Sequence, residues 1–255
     1  MTNIKRSFGK ILIRSGSALT ATGLKLRPDG LRTGRVYISA TGRTGRIYIS
    51  GTGRAGTTFL VQLLTKLGCD TGFGGLNEAE SKAASVYFSS ARAGFERDIF
   101  DKSGPQIVKS PYLCDHLDAV LHAGIEIAHV IIPIRDFTSA AKSREYVQTE
   151  TTGLADGSSV PGGLWDTERA ASQENILRTK LANLVEACVR NDIPMTFLSF
   201  PRFAKDPDYV VKKLRFLFPQ LTKEAFPEVF RSVARADLIH DFQSDGSWTS
   251  GSPSF

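Results

Sequence analysis

Three short segments carry side chains suited to holding a multiply charged anion. The first is Gly51-Thr52-Gly53-Arg54-Ala55-Gly56-Thr57-Thr58. It follows a β-type run, Arg46-Ile47-Tyr48-Ile49-Ser50, and precedes a helical pattern from Thr57 to Leu67 that Gly68 is placed to end. The spacing GxxxxG between strand and helix is that of a phosphate loop. Its glycines let the backbone turn tightly, its amides converge on an anion, and the helix start adds positive potential. Thr57 stands where a nucleoside-triphosphate loop needs Lys, and the cation is instead Arg54, two residues before Gly56. The second segment, Arg135 to Ser143, follows the apolar run Ala128–Ile134 and places a guanidinium at a strand tip and a hydroxyl about two helical turns on. Asp136 either steadies Arg135 or starts the helix. The third, Lys109-Ser110-Pro111, ends another short run with a lysine.

These segments need a scaffold that brings strand ends together. Strand-type runs at 46–50, 106–109, 128–134 and 194–200 alternate with helical patterns at 57–67, 113–123, 138–147, 167–191, 207–218 and 222–236. Pro133 counts against a strand only near the end of the 128–134 run. The alternation predicts a three-layer α/β/α domain with a mainly parallel sheet, whose ligands bind at the carboxyl ends of the strands. Residues 34–45 (GRVYISATGRTG) and 45–56 (GRIYISGTGRAG) repeat at an offset of eleven. Only the second copy leads into a helix, so the first reads as an edge strand, a hairpin partner or a duplication without a role. The polar stretch 150–164 reads as a loop or lid.

At 255 residues, 41% hydrophobic and 23% charged, the chain has the composition of one globular domain. No apolar run approaches the roughly 18 residues of a membrane span. Cys69, Cys114 and Cys188 are too few and too scattered for a disulfide framework or a zinc site. The net charge of +6 divides into +10 over residues 1–54 and −4 over the rest. The expected layout is a basic arm at 1–33, one domain at 34–242 and a tail at 243–255. In the arm, Ile4, Phe8, Ile11 and Leu12 share one helical face, with Lys5, Arg6, Lys10 and Arg14 largely off it. It reads as a solvated tail, as a helix on its own domain, as an organelle-type targeting segment or as a peripheral membrane contact. Without aromatic interleaving it does not read as a nucleic-acid arm.

Taken together, the anion-holding segments resemble the sulfotransferase family that uses 3′-phosphoadenosine-5′-phosphosulfate (PAPS). The family's (K/R)-S-G-T-(T/S) loop is matched by Arg54-Ala55-Gly56-Thr57-Thr58, and its strand-Arg with Ser eight residues on is matched by Arg135 and Ser143. A lysine-bearing strand end between them is matched by Lys109. Direct matches cover about 20 residues, within an α/β pattern spanning about 46–220. Three features depart from the family: Ala55 stands for Ser, Pro111 stands where many cytosolic members carry a catalytic His, and their C-terminal Gly-rich motif is not recognisable.

The resemblance implies a P-loop nucleoside-triphosphate-hydrolase-like fold and sulfuryl transfer to a hydroxyl or amine, with no metal required. Gly53 to Thr58 would hold the 5′-phosphate, Arg135 and Ser143 the 3′-phosphate, and Arg54 and Lys109 the charge on the moving group. The base would be Glu78, with Glu80, Asp115 and His116 as rivals. A saccharide or lipid-linked acceptor would be framed by residues 72–104 and 150–166. A cytoplasmic, bacterial-type enzyme is expected, touching the inner membrane surface if the arm does. Two other classes share some of these features: a P-loop kinase or other nucleoside-triphosphate enzyme, and a non-catalytic binder of anions or membrane surfaces.

Overall fold

The computed structural model describes residues 37–38, 44–74, 88, 94–151, 162–166, 170–217 and 226–234. The basic arm and the C-terminal tail lie outside them, as does most of the 150–164 stretch. Five strands are present among the described residues: β1 Tyr37–Ile38, β2 Thr44–Ile49, β3 Ile107–Lys109, β4 Ile127–Ile134 and β5 Met195–Ser199. Seven helices accompany them: α1 Thr57–Lys66, α2 Leu113–His122, α3 Phe137–Thr151, α4 Ala170–Arg190, α5 Arg202–Lys205, α6 Pro207–Leu214 and α7 Phe226–Val233.

Four strands form a parallel sheet in the order β3-β2-β4-β5. Side chains alternate across it, as the twofold period of a strand demands. On one face Ile47, Ile49, Ile107 and Ile131 pack with Leu60 and Leu64 of α1, Val210 and Leu214 of α6, and Phe226 and Phe230 of α7. On the other face Tyr48, Val108, Val130 and Ile132 pack with Leu113, Leu117 and Val120 of α2 and Leu184 and Cys188 of α4. Burial on both faces explains why these strands are apolar runs and not alternating ones. The result is the expected three-layer α/β/α arrangement. Among the described residues no helix is long and apolar enough to cross a membrane.

The 34–56 repeat resolves as a hairpin. β1 pairs antiparallel with the start of β2, Tyr37 against Gly45 and Ile38 against Thr44. Pro133 does not weaken β4, which runs through it to pair with Leu198. Ser50 donates to the Ile131 carbonyl, so odd-numbered residues of β4 turn their polar groups toward β2. β2 has ended by the level of Pro133, and the missing N–H faces no strand there. Two helical expectations change as well. The pattern at 207–218 breaks after Leu214 into a 3₁₀ turn, Arg215–Leu217, and the short helix α5 had no separate signal.

β3 and β4 lie on opposite sides of β2, so the chain reverses its direction of winding beside β2. The crevice at the carboxyl ends of β2 and β4 is therefore the topological switch point, where doubly wound sheets hold their ligands.

His129, on β4, stacks on Phe216 with ring centroids 4.2 Å apart, and its Nε2 lies 2.9 Å from Thr196 Oγ1. Burial pushes its pKa down from 6.5 to about 4. Between those values the unfolded chain binds the extra proton, so stability rises with pH across about 4 to 6.5 and is flat above. The gap corresponds to about 3 kcal/mol at most. Urea unfolding of the wild type should show this slope, and His129→Gln should remove it.

Candidate functional site

The loop after β2 is a succession of left-handed turns. Gly53, Arg54 and Gly56 have φ of 69°, 52° and 76°. A left-handed non-glycine residue costs about 1–3 kcal/mol and persists only where its surroundings impose it. Arg54 is held by its neighbours: Arg135 Nη1 donates to its carbonyl at 3.2 Å, and its own Nε donates to Ser143 Oγ at 3.1 Å. The two segments expected to grip an anion, more than 80 residues apart in sequence, thus meet at one point. Arg135 is buried at the tip of β4, its guanidinium 5.2 Å from the Phe200 ring centroid.

Gly56 caps α1 in the left-handed conformation, with no side-chain cap and no acid in the first turn. The first amides of the helix are consequently left for a ligand or water. The glycines have steric roles beyond turning. A Cβ on Gly56 would come within 2.8 Å of Phe203 Cζ and 2.9 Å of Phe200 Cδ2. A Cβ on Gly53 would meet Arg144 Nη2 at 2.7 Å. Ala55 is fully buried.

Lys109 ends β3 level with Ile49 of β2. Its Nζ donates to Thr58 Oγ1 at 3.2 Å and to the Gly94 carbonyl, and pairs with Glu96 Oε1 at 2.8 Å. Burial lowers the Lys109 pKa, Glu96 opposes that, and the Arg54 charge adds to the lowering.

Arg144 and Glu96 are the two residues that sequence reasoning missed. Arg144 is buried beside Ser143, donates Nη1 to the Gly163 carbonyl at 2.6 Å and Nη2 to the Thr52 carbonyl, and sits 5.0 Å from the Trp165 ring centroid. It therefore ties the backbone of the Gly51–Thr58 loop to the irregular stretch 162–166. Burial, then the Arg54 charge, brings its pKa down to about 10. Its adjacency to Ser143 was the available signal. Burial alone lowers the Arg54 pKa too. Among the described residues neither Arg54 nor Arg144 has a carboxylate partner.

Of the expected bases, Glu78 and Glu80 lie outside the described residues. Asp115 is held 2.6 Å from Lys180, away from Lys109's own partners. His116 lines an adjoining cleft with Glu96. Asp136 stands just before α3 and accepts from the Ser139 amide at 2.8 Å, as a residue that starts the helix does.

Chemically, the site offers guanidinium groups, an ammonium, hydroxyls and the helix-start amides at one crevice, with more positive than negative charge. Gly56→Ala should lose about 1–3 kcal/mol of stability through the φ restriction and the Phe200/Phe203 clash. Gly74→Ala, whose Cβ would meet nothing within 4 Å, should stay within about 0.5 kcal/mol. Urea midpoints of the two variants check this.

No protein-family model matches the chain, and no curated protein or solved structure matches it.

Proposed function

We propose that the chain is a PAPS-dependent sulfotransferase, moving a sulfuryl group to a hydroxyl or amine acceptor. The observation that carries the proposal is the joining of Arg54, Arg135 and Ser143 at the switch point, with Arg54 and Arg144 lacking carboxylate partners among the described residues. The donor set fits a nucleotide bearing two separate phosphate groups. Uncapped amides before α1 suit one, and Arg135 with Ser143 suits the other. The lysine that cradles the phosphates in triphosphate enzymes is replaced by Thr57, which counts against the kinase alternative.

PAPS, when bound, supplies an activated sulfuryl group on its 5′-phosphate. The chain's own groups hold and neutralise. Gly53 to Thr58 would hold the 5′-phosphate through backbone N–H groups. Arg135 and Ser143 would hold the 3′-phosphate. Arg54, which lies between the two segments, would supply positive charge to the departing oxygen. Lys109, anchored to Thr58 at the start of α1, shares the charge of the sulfuryl oxygens. Positioned cations of this kind account for most of the catalysis in phosphoryl transfer, and the same electrostatics apply here.

Adenosine 3′,5′-bisphosphate at 100 times its Kd should raise the melting temperature by about 5–10 °C. ADP and ATP with magnesium should raise it far less. A larger shift with ATP and magnesium would favour the kinase alternative, and no shift with any of them would contradict a nucleotide site. Arg135→Ala should weaken binding of the bisphosphate about 10- to 100-fold, and that of adenosine 5′-phosphate much less. Equal losses would remove the 3′-phosphate assignment. Arg54→Ala should lower turnover about 100- to 1,000-fold with a smaller change in donor affinity, as read from transfer of radiolabelled sulfate.

A further inference from the structure

Next to Lys109 in the chain, Ser110 lines a cleft of about 420 Å³ of which residues 96–100 form one wall. The cleft is lined by Glu96, Asp98, Phe100, Ser110, Tyr112 and His116, among others. Its volume lies in the range of small-molecule sites, roughly 300–1,000 Å³. The wall is fixed. Arg97 N–H donates to the Lys109 carbonyl at 2.9 Å, Tyr48 Oη donates to the Ile99 carbonyl at 3.1 Å, and Phe95 packs against Phe73 and Phe88. Glu96 is thereby held at the meeting point of cleft and site, with one carboxylate oxygen on Lys109 Nζ and its side chain 43% exposed.

Building on the sulfotransferase proposal above, we infer that this cleft receives the acceptor, an uncharged ring-bearing alcohol, and that Glu96 is the catalytic base. Two aromatic faces stand open there, Tyr112 at 58% and Phe100 at 43% exposure, and such faces stack on flat ring surfaces. Glu96 and Asp98 accept hydrogen bonds from hydroxyl groups and repel an acidic acceptor. In the transfer step the acceptor oxygen forms a bond to the donor sulfur. The bond from sulfur to the bridging oxygen breaks, its electron pair leaving on the 5′-phosphate of the bisphosphate product. The acceptor proton passes to the Glu96 carboxylate. Lys109 turns from Glu96 to the sulfuryl oxygens in the same step, which frees the carboxylate for that proton.

The test is transfer of radiolabelled sulfate from PAPS to 2-naphthol, to cellobiose and to naphthyl glucuronide, alongside titration of adenosine 3′,5′-bisphosphate. Wild type should label naphthol or cellobiose, the one taken telling phenol from sugar, at least about 10-fold faster than the glucuronide. Glu96→Gln, which keeps the shape and a hydrogen bond to Lys109, should lower kcat about 100- to 10,000-fold and leave bisphosphate binding intact. Glu96→Asp should recover part of the loss. Tyr112→Ala should raise KM for the labelled acceptor about 3- to 10-fold with kcat little changed. Bisphosphate binding with no label on either neutral probe, or faster labelling of the glucuronide, overturns the acceptor assignment. Glu96→Gln at wild-type rate overturns the base, and an unchanged KM in Tyr112→Ala overturns the stacking wall. Absence of bisphosphate binding in the wild type overturns the donor proposal itself.

Discussion

Arg54 and Arg144 lie within each other's field, withdrawn from water, and no carboxylate stands beside either among the described residues. Removing a guanidinium from water costs several kcal/mol unless its charge and its donors are both answered. Neutral groups answer most of the donors: the Thr52 and Gly163 carbonyls take the terminal nitrogens of Arg144, and the Ser143 hydroxyl takes Arg54 Nε, while Arg144 Nε is buried without a hydrogen-bond partner among the described residues. They do not answer the charge. The lowered pKa values of Arg54 and Arg144 both have burial as their first cause, which is the mark of that unanswered charge. On the proposal made above a bound anion answers it, and the rest of the architecture keeps these groups in place for one.

The sheet supplies the placement. β2 stands between β3 and β4, with Ile49 level with Lys109 on one side and Ile131 on the other. Three strands therefore deliver their carboxyl ends to one edge, carrying the phosphate loop, Lys109 and Arg135. α1 and α3 both start from that edge, so their N-termini add positive potential there. The packing is continuous with the site. Phe203, in the core on the α1 side, and Phe200, packed against that core, fill the space that a side chain on Gly56 would need. The conformation of the phosphate loop is thus tied to the apolar core and not to local propensity alone.

Much of this was legible in the sequence because it is local or periodic. The buried strands announce themselves as short apolar runs, and the Gly51–Thr58 loop by glycine spacing between a strand and a helix. Arg54, Lys109 and Arg135 each lie at or just after the end of a strand, and Ser143 follows on the helix after β4. What the sequence did not disclose depends on contacts between distant segments. Arg144 looks like one more cation on a polar helix until α3 turns it under Thr52. Glu96 sits in an irregular segment with no period, and only its pairing with β3 brings it to Lys109. Gly53 and Gly56 read as turn-formers, yet the closest demands on them come from Arg144 and from the phenylalanine rings. Why β4 tolerates Pro133 is not legible either, because the end of β2, which removes the need for its N–H, is visible only once the strands are in register.

The most direct test of the account is a crystal structure of the protein with adenosine 3′,5′-bisphosphate. The 5′-phosphate should rest on the amides of Gly53 to Thr58, and the 3′-phosphate should contact Arg135 and Ser143. A nucleotide bound elsewhere, or a 3′-phosphate pointing to solvent, would contradict it.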